Sequence, residues 1–129
     1  MSQAYITASQ PVRSLIIAER ARNIRRLLSR ELSRDGYDIT VISSGHELCR
    51  LLESQRAGHI VLLDPDLPDL EDDSVIRRLR AQAGHATLLI HSYGAQAYRP
   101  LADVTHQVVR RTGNIEALRA TLGNLETKE

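Results

Sequence analysis

Apolar residues along this chain come in two alternating rhythms. Short runs at Leu15–Ile17, Ile39–Ile42, Ile60–Leu63, Leu88–Ile90 and Gln107–Val109 predict five strands, and the uninterrupted ones are expected to be buried on both faces. Between them the spacing changes to three and four. Ile24, Leu27, Leu28 and Leu32 predict a first helix ending at Asp35-Gly36, where glycine can take the left-handed cap. A second helix is expected from the capping box Ser44-x-x-Glu47, with Leu48, Leu51 and Leu52 inward. A third begins near Asp72-Asp73 with Val75, Ile76 and Leu79, and the last carries Ile115, Leu118 and Leu122. From Tyr93 to Thr105, Gly94, Pro100 and scattered apolar residues predict only a short or irregular fourth helix. Strand–helix alternation with short connections implies right-handed crossovers, hence an α/β fold with one five-stranded parallel sheet and helices on both faces.

Composition narrows this picture. The 129 residues suffice for one domain with one core, and 42% are apolar, yet no apolar run approaches a membrane span of about 18 residues. Met1 to Val12 lacks a basic start followed by an apolar stretch, so residues 1–12 are expected to be a flexible tail, 13–124 the domain and 125–129 a second tail. The single cysteine, Cys49, lies among Leu48, Leu51 and Leu52, which predicts a buried packing residue and fits a reducing cytoplasm. Net charge is +1, and of 17 basic residues only Lys128 is a lysine. Arginine favours forked contacts to carboxylate or phosphate.

The most informative segment is Asp64-Pro65-Asp66-Leu67-Pro68 directly after the third apolar run. It places a carboxylate in a rigid loop at the carboxyl end of a strand, where doubly wound proteins carry their sites. The first strand ends in Glu19-Arg20, so a cation is expected to face that carboxylate.

Asn23 to Leu28, Asp35-Gly36-Tyr37, Ser43 to Glu47, Ile60–Pro68 and Arg77-Arg78-Leu79-Arg80 resemble, in order and spacing, the CheY-like receiver domains of response regulators. The likeness runs from about Arg13 to Leu122. It implies a flavodoxin-like sheet in the order 2-1-3-4-5 and a place in two-component or phosphorelay signalling. By resemblance Asp64 is the phosphoacceptor candidate. The family holds Mg²⁺ with two acidic residues after the first strand, and the matching positions here are Glu19 and Arg20, with Asp66 as a further acidic-pocket position. Arg20 is expected to hold Asp64 through two charge-assisted hydrogen bonds and to compete with the ion. Pro65 removes a backbone donor beside the acceptor. The family's switch hydroxyl falls on Ser92, or one residue earlier on His91, and its lysine falls on Arg111, with Thr112 in place of the following proline and Val108 in place of the switch aromatic.

These departures imply a degenerate receiver: no cofactor, no catalysis, and a protein partner such as a histidine kinase, an output protein or a second copy. The fourth helix, fifth strand and last helix form the expected contact face. The alternative is a working phosphoacceptor with Mg²⁺ on Glu19, Asp64 and water. A remote alternative reads Asp64-x-Asp66 as the nucleophile motif of an aspartyl phosphatase, although Leu67 departs from it. The acidic stretch Asp64 to Asp73 lacks calcium-loop spacing. Arg22, Arg26, Arg30 and Arg34 form one helix stripe, read as a solvated face, since no aromatics interleave to favour nucleic acid. His46, His59, His85, His91 and His106 lack zinc-ligand spacing, and no nucleophile elbow accompanies the serines. No membrane partner is expected.

Overall fold

The computed structural model describes residues 13–54, 58–94, 96–112 and 114–127, with side chains through 125; the expected tail 1–12 and residues 128–129 lie outside them. In chain order the elements are β1 (Ser14–Ala18), α1 (Arg22–Arg34), β2 (Asp38–Ile42), α2 (Gly45–Ser54), β3 (His59–Leu63), α3 (Asp73–Ala81), β4 (Ala86–Ser92), β5 (Gln107–Arg110) and α4 (Glu116–Thr127). Short 3₁₀ turns lie at Pro68–Glu71, Ala83–His85 and Arg99–Val104. The five strands are all parallel in the order β2-β1-β3-β4-β5, as the sequence led us to expect.

Strand alternation divides the core into two layers. Leu15, Ile17, Ile60, Leu62, Leu89 and Val109 face α1 and α4, meeting Leu28, Leu32, Leu118 and Leu122. Ile16, Ala18, Val61, Leu63 and Ile90 face the other way, onto Leu48 and Leu52 of α2 and Val75 and Leu79 of α3. The central strands β1 and β3 are thus buried on both faces, which is why they read as continuous apolar runs. The Ile39–Ile42 run is different. It forms the edge strand β2, and Val41 on its α1 side is 43% exposed beside the arginine-bearing face of that helix.

The predicted helix ends have visible causes. Gly36 adopts φ +96° and its N–H donates to the Ser33 carbonyl, which closes α1. At α2 the Ser44 hydroxyl accepts the Glu47 N–H at 3.1 Å, while Glu47 reaches back to the Ser43 N–H at 2.9 Å. Asp72 caps α3 by accepting the Ser74 N–H at 2.9 Å. The irregular segment after β4 holds the 3₁₀ turn Arg99–Val104, which covers the α2/α3 layer with buried Leu101. Arg80 of α3 holds this turn through a forked pair with Asp103 at 2.6 and 2.7 Å. The last helix continues past the boundary expected at 124, to Thr127, and Leu125 packs against the α1/α4 layer. Cys49 is buried and its Sγ donates to the Val75 carbonyl at 3.7 Å.

Candidate functional site

Ladder hydrogen bonds continue beyond the strands and set their carboxyl ends side by side. The Glu19 N–H donates to the Ile42 carbonyl, the Asp64 N–H to the Ala18 carbonyl and the Arg111 N–H to the Ser92 carbonyl. Residues distant in sequence therefore leave the sheet at one edge, and Glu19, Asp64, His91 and Arg111 are all buried there.

Glu19 and Arg111 form the closest contact of the cluster. Arg111 Nη2 donates to Glu19 Oε1 at 2.5 Å, with both side chains more than nine-tenths buried. The other Glu19 oxygen accepts the Ala21 N–H at 3.0 Å, so the carboxylate sits at the start of α1, where the helix dipole favours an anion. Asp64 is 2% exposed. Its Oδ1 accepts the Asp66 N–H at 2.9 Å and lies 3.5 Å from Arg111 Nη2, while Oδ2 accepts the backbone N–H of Arg20 at 3.2 Å. Pro65 removes one donor after the acceptor, and Asp66 supplies the next.

The expected two hydrogen bonds from the Arg20 guanidinium to Asp64 are not made. Its Nε stands 3.4 Å from Oδ2, its Nη2 lies 3.6 Å from the exposed Asp66 carboxylate, and the side chain is 51% exposed. The reason is depth. Arg20 leaves the strand end pointing outward, whereas Arg111 enters from β5 beneath it and bridges Glu19 and Asp64. Sequence spacing gave no signal for that bridge, since Arg111 is 92 residues from Glu19. Arg25, likewise unforeseen, donates to the carbonyls of Glu19 at 2.8 Å and Arg20 at 3.0 Å and so fixes the β1–α1 loop.

Burial works against the charge of Arg111, but the Glu19 hydrogen bond and the charges of Glu19 and Asp64 outweigh it and raise its pKa. Its guanidinium also lies 5.1 Å from the Tyr93 ring centroid, a cation–π contact at the rim. His91 is the reverse case: burial, then the nearby Arg111 charge, lower its pKa to about 4 against a smaller opposing effect of Asp64. The imidazole is neutral near pH 7, and its buried Nδ1 has no hydrogen-bond partner. His91 pairs in register with Val109 on the α1/α4 side, whereas Ser92, half-buried, pairs with Arg110.

Mg²⁺ requires a near-octahedral set of free oxygen donors. Here each oxygen of Glu19 and Asp64 already faces an N–H or guanidinium group of the protein. No group of three or more His, Cys, Asp or Glu side chains able to hold a metal occurs among the described residues.

Elsewhere, the arginines Arg22, Arg26, Arg30 and Arg34 are all exposed along α1. Asp69 of the acidic stretch has a structural task, accepting the Gly45 and His46 N–H groups at 2.8 and 2.9 Å. No described helix is long and apolar enough to cross a membrane.

No family model matches the chain. Response regulator MprA of Mycolicibacterium vanbaalenii is 34% identical over 80 residues, which are 62% of this chain and 34% of that protein. The matched part therefore spans about a third of that relative's length. Among solved structures, the chemotaxis response regulator CheY4 of Vibrio cholerae aligns with TM-score 0.74 at 17% identity, covering 88% of this chain and 98% of that one. Response regulator TrrA of Thermotoga maritima, in complex with Mg²⁺-BeF, aligns with TM-score 0.73 at 21% identity, covering 88% and 99%. The receiver domain of the Francisella response regulator 1452 gives 0.74 at 18%, covering 90% and 98%. The fold is that of a CheY-like receiver domain. Within that class the chain is similar to response regulators of two-component systems.

Proposed function

We propose that this chain is a receiver-type signalling module of a two-component or phosphorelay system that acts by binding a protein partner without needing a phosphoryl group on Asp64. The observation that carries this reading is the occupied carboxylate pair, with Arg111 between Glu19 and Asp64 and every oxygen engaged by the protein itself. Phosphoryl transfer to a carboxylate depends on positive charge that neutralises the incoming phosphoryl oxygens while leaving the nucleophile free. Arg111 and Arg20 place their charge on the nucleophile instead. In this reading Asp64 is a vestigial acceptor, Glu19 the remaining acidic neighbour, Arg111 the metal substitute with Arg20 above it, and Ser92 the hydroxyl of the switch position. No cofactor takes part and no reaction is catalysed.

The partner is a histidine kinase, an output protein or a second copy, met on the surface of the Arg99–Val104 turn, β5 and α4. Nucleic acid and membrane are not partners, and the module works in the cytoplasm. The test is the intact mass after incubation with Mg²⁺ and acetyl phosphate, beside Asp64→Ala. We expect no adduct in either; a single phosphoryl adduct lost in Asp64→Ala overturns the proposal.

One observation favours the second reading, a working phosphoacceptor: the Arg20 side chain is half exposed and touches Asp64 by one ionic contact, so it can leave. That adduct is the result this reading predicts. The aspartyl-phosphatase alternative gains no observation.

A further inference from the structure

The sheet has one edge at β2, on the far side from β5. The Asp38 N–H donates to the Arg13 carbonyl and the Ile42 carbonyl accepts the Glu19 N–H, so the even-numbered residues of this strand turn their backbone groups toward β1. In a parallel pair the residues between them turn theirs the other way. The N–H and C=O groups of Ile39 and Val41 therefore point outward, where no described strand receives them. An edge left open in this way is a template on which another chain can pair.

Grooves flank this edge on both faces of the sheet. On the α1 side, a groove of about 660 Å³ is lined by Arg22, Arg26, Arg30 and the exposed Val41. On the α2 side, a smaller one of about 220 Å³ is lined by Ile42, Leu51 and Glu47, whose carboxylate is already held by Ser43 and Ser44. A strand added at β2 would send alternate side chains into the two grooves.

Charge decides which strand fits. Arg22 and Arg26 are exposed and make no ion pair among the described residues, and Arg30 meets only Glu31, at 3.6 Å. Elsewhere Arg78, Arg80, Arg111 and Arg119 each hold a carboxylate. The three groove arginines succeed one another by about 6 Å along the helix, close to the ~6.6 Å between every second residue of a strand. Residues 1–12 of the chain carry no acidic side chain. A second copy paired antiparallel on β2 would bring two arginine faces together on one side of the sheet, which like charge opposes.

We propose that β2 and α1 form a docking edge for an extended acidic segment of a protein partner. The segment adds a sixth strand to the sheet, with acidic residues at alternate positions over the arginines and apolar ones over Ile42 and Leu51. This edge is opposite the surface assigned above to the partner, and its use does not depend on whether Asp64 accepts a phosphoryl group.

The probe is a capped peptide in which glutamate and valine alternate, compared with its glutamine counterpart, in ¹H–¹⁵N correlation titrations of the full chain. Saturable shifts are expected in the amides of residues 38–42, with the glutamate peptide binding at least about tenfold tighter than the other. Arg22→Gln combined with Arg26→Gln is expected to abolish that preference. Val41→Pro, its fold checked by circular dichroism, removes one outward N–H and is expected to weaken both peptides. Absence of saturable shifts, shifts mapping elsewhere, equal affinity for the two peptides, or a preference that survives the arginine substitutions overturns the proposal. So does a dimer paired through β2, or tighter binding of a single-stranded oligonucleotide in the same groove.

Discussion

His91 illustrates how a residue can be visible in a sequence while its surroundings are not. It stands one position before Ser92, within reach of the alignment, yet its environment follows from alternation along β4, which turns it toward α1 and α4. There burial and the Arg111 charge depress its pKa from 6.5 to about 4. The unfolded chain then binds more protons than the folded one between these values, so stability present above pH 6.5 is lost as the pH falls toward 4. The full effect is on the order of 3 kcal/mol. Chemical denaturation at stepped pH checks this, since His91→Leu is expected to flatten the slope across that window; an unchanged slope assigns the pH dependence to other groups. Asp64 and Glu19 were legible because they follow strand-end apolar runs. The bridge by Arg111 was not, because pairing across 92 residues leaves no local pattern.

At the scale of elements, caps and periodicities foretold α1, α2 and α3, since each is specified by residues within a turn or two of its ends. What joins them was hidden. Asp69, read in sequence as part of an acidic loop, holds the N-terminus of α2 with two hydrogen bonds. Gly45 makes this approach possible, because a Cβ there would come within 2.8 Å of Val75 Cγ1. Asp69→Ala is expected to cost about 1–2 kcal/mol, the range for a lost helix cap. Urea titration measures it, and a loss below a few tenths would show that Ser44 and Glu47 suffice to hold the helix end. The segment between β4 and β5 was illegible for another reason: a 3₁₀ turn gives no 3.6-residue rhythm, and its place is fixed by Leu101 and the Arg80–Asp103 pair.

For the whole molecule, strand number and direction followed from the alternation of strands and helices, and the order from resemblance. That order puts β2 at the edge; what it left unseen is the exposure of Val41, because Ile39–Ile42 reads in sequence much like a central strand. The strongest constraint across the sheet is the Glu19–Arg111 pair, which links the end of β1 to the end of β5. Arg111→Met leaves a buried carboxylate without its cation and is expected to cost about 3–5 kcal/mol. Glu19→Gln combined with Arg111→Met is expected to recover most of that loss, as read by chemical denaturation. Equal destabilisation in the single and double variants would show that packing, not charge, is what Arg111 contributes.

The same pair sets an order of events during synthesis. Glu19 leaves the ribosome early with the first strand, but its counter-charge arrives only when β5 has been made. Until then, any compact intermediate that buries the end of β1 must either leave that carboxylate in water or neutralise it with a proton. A chain halted before residue 111 lacks the cation needed to bury Glu19 as an ion.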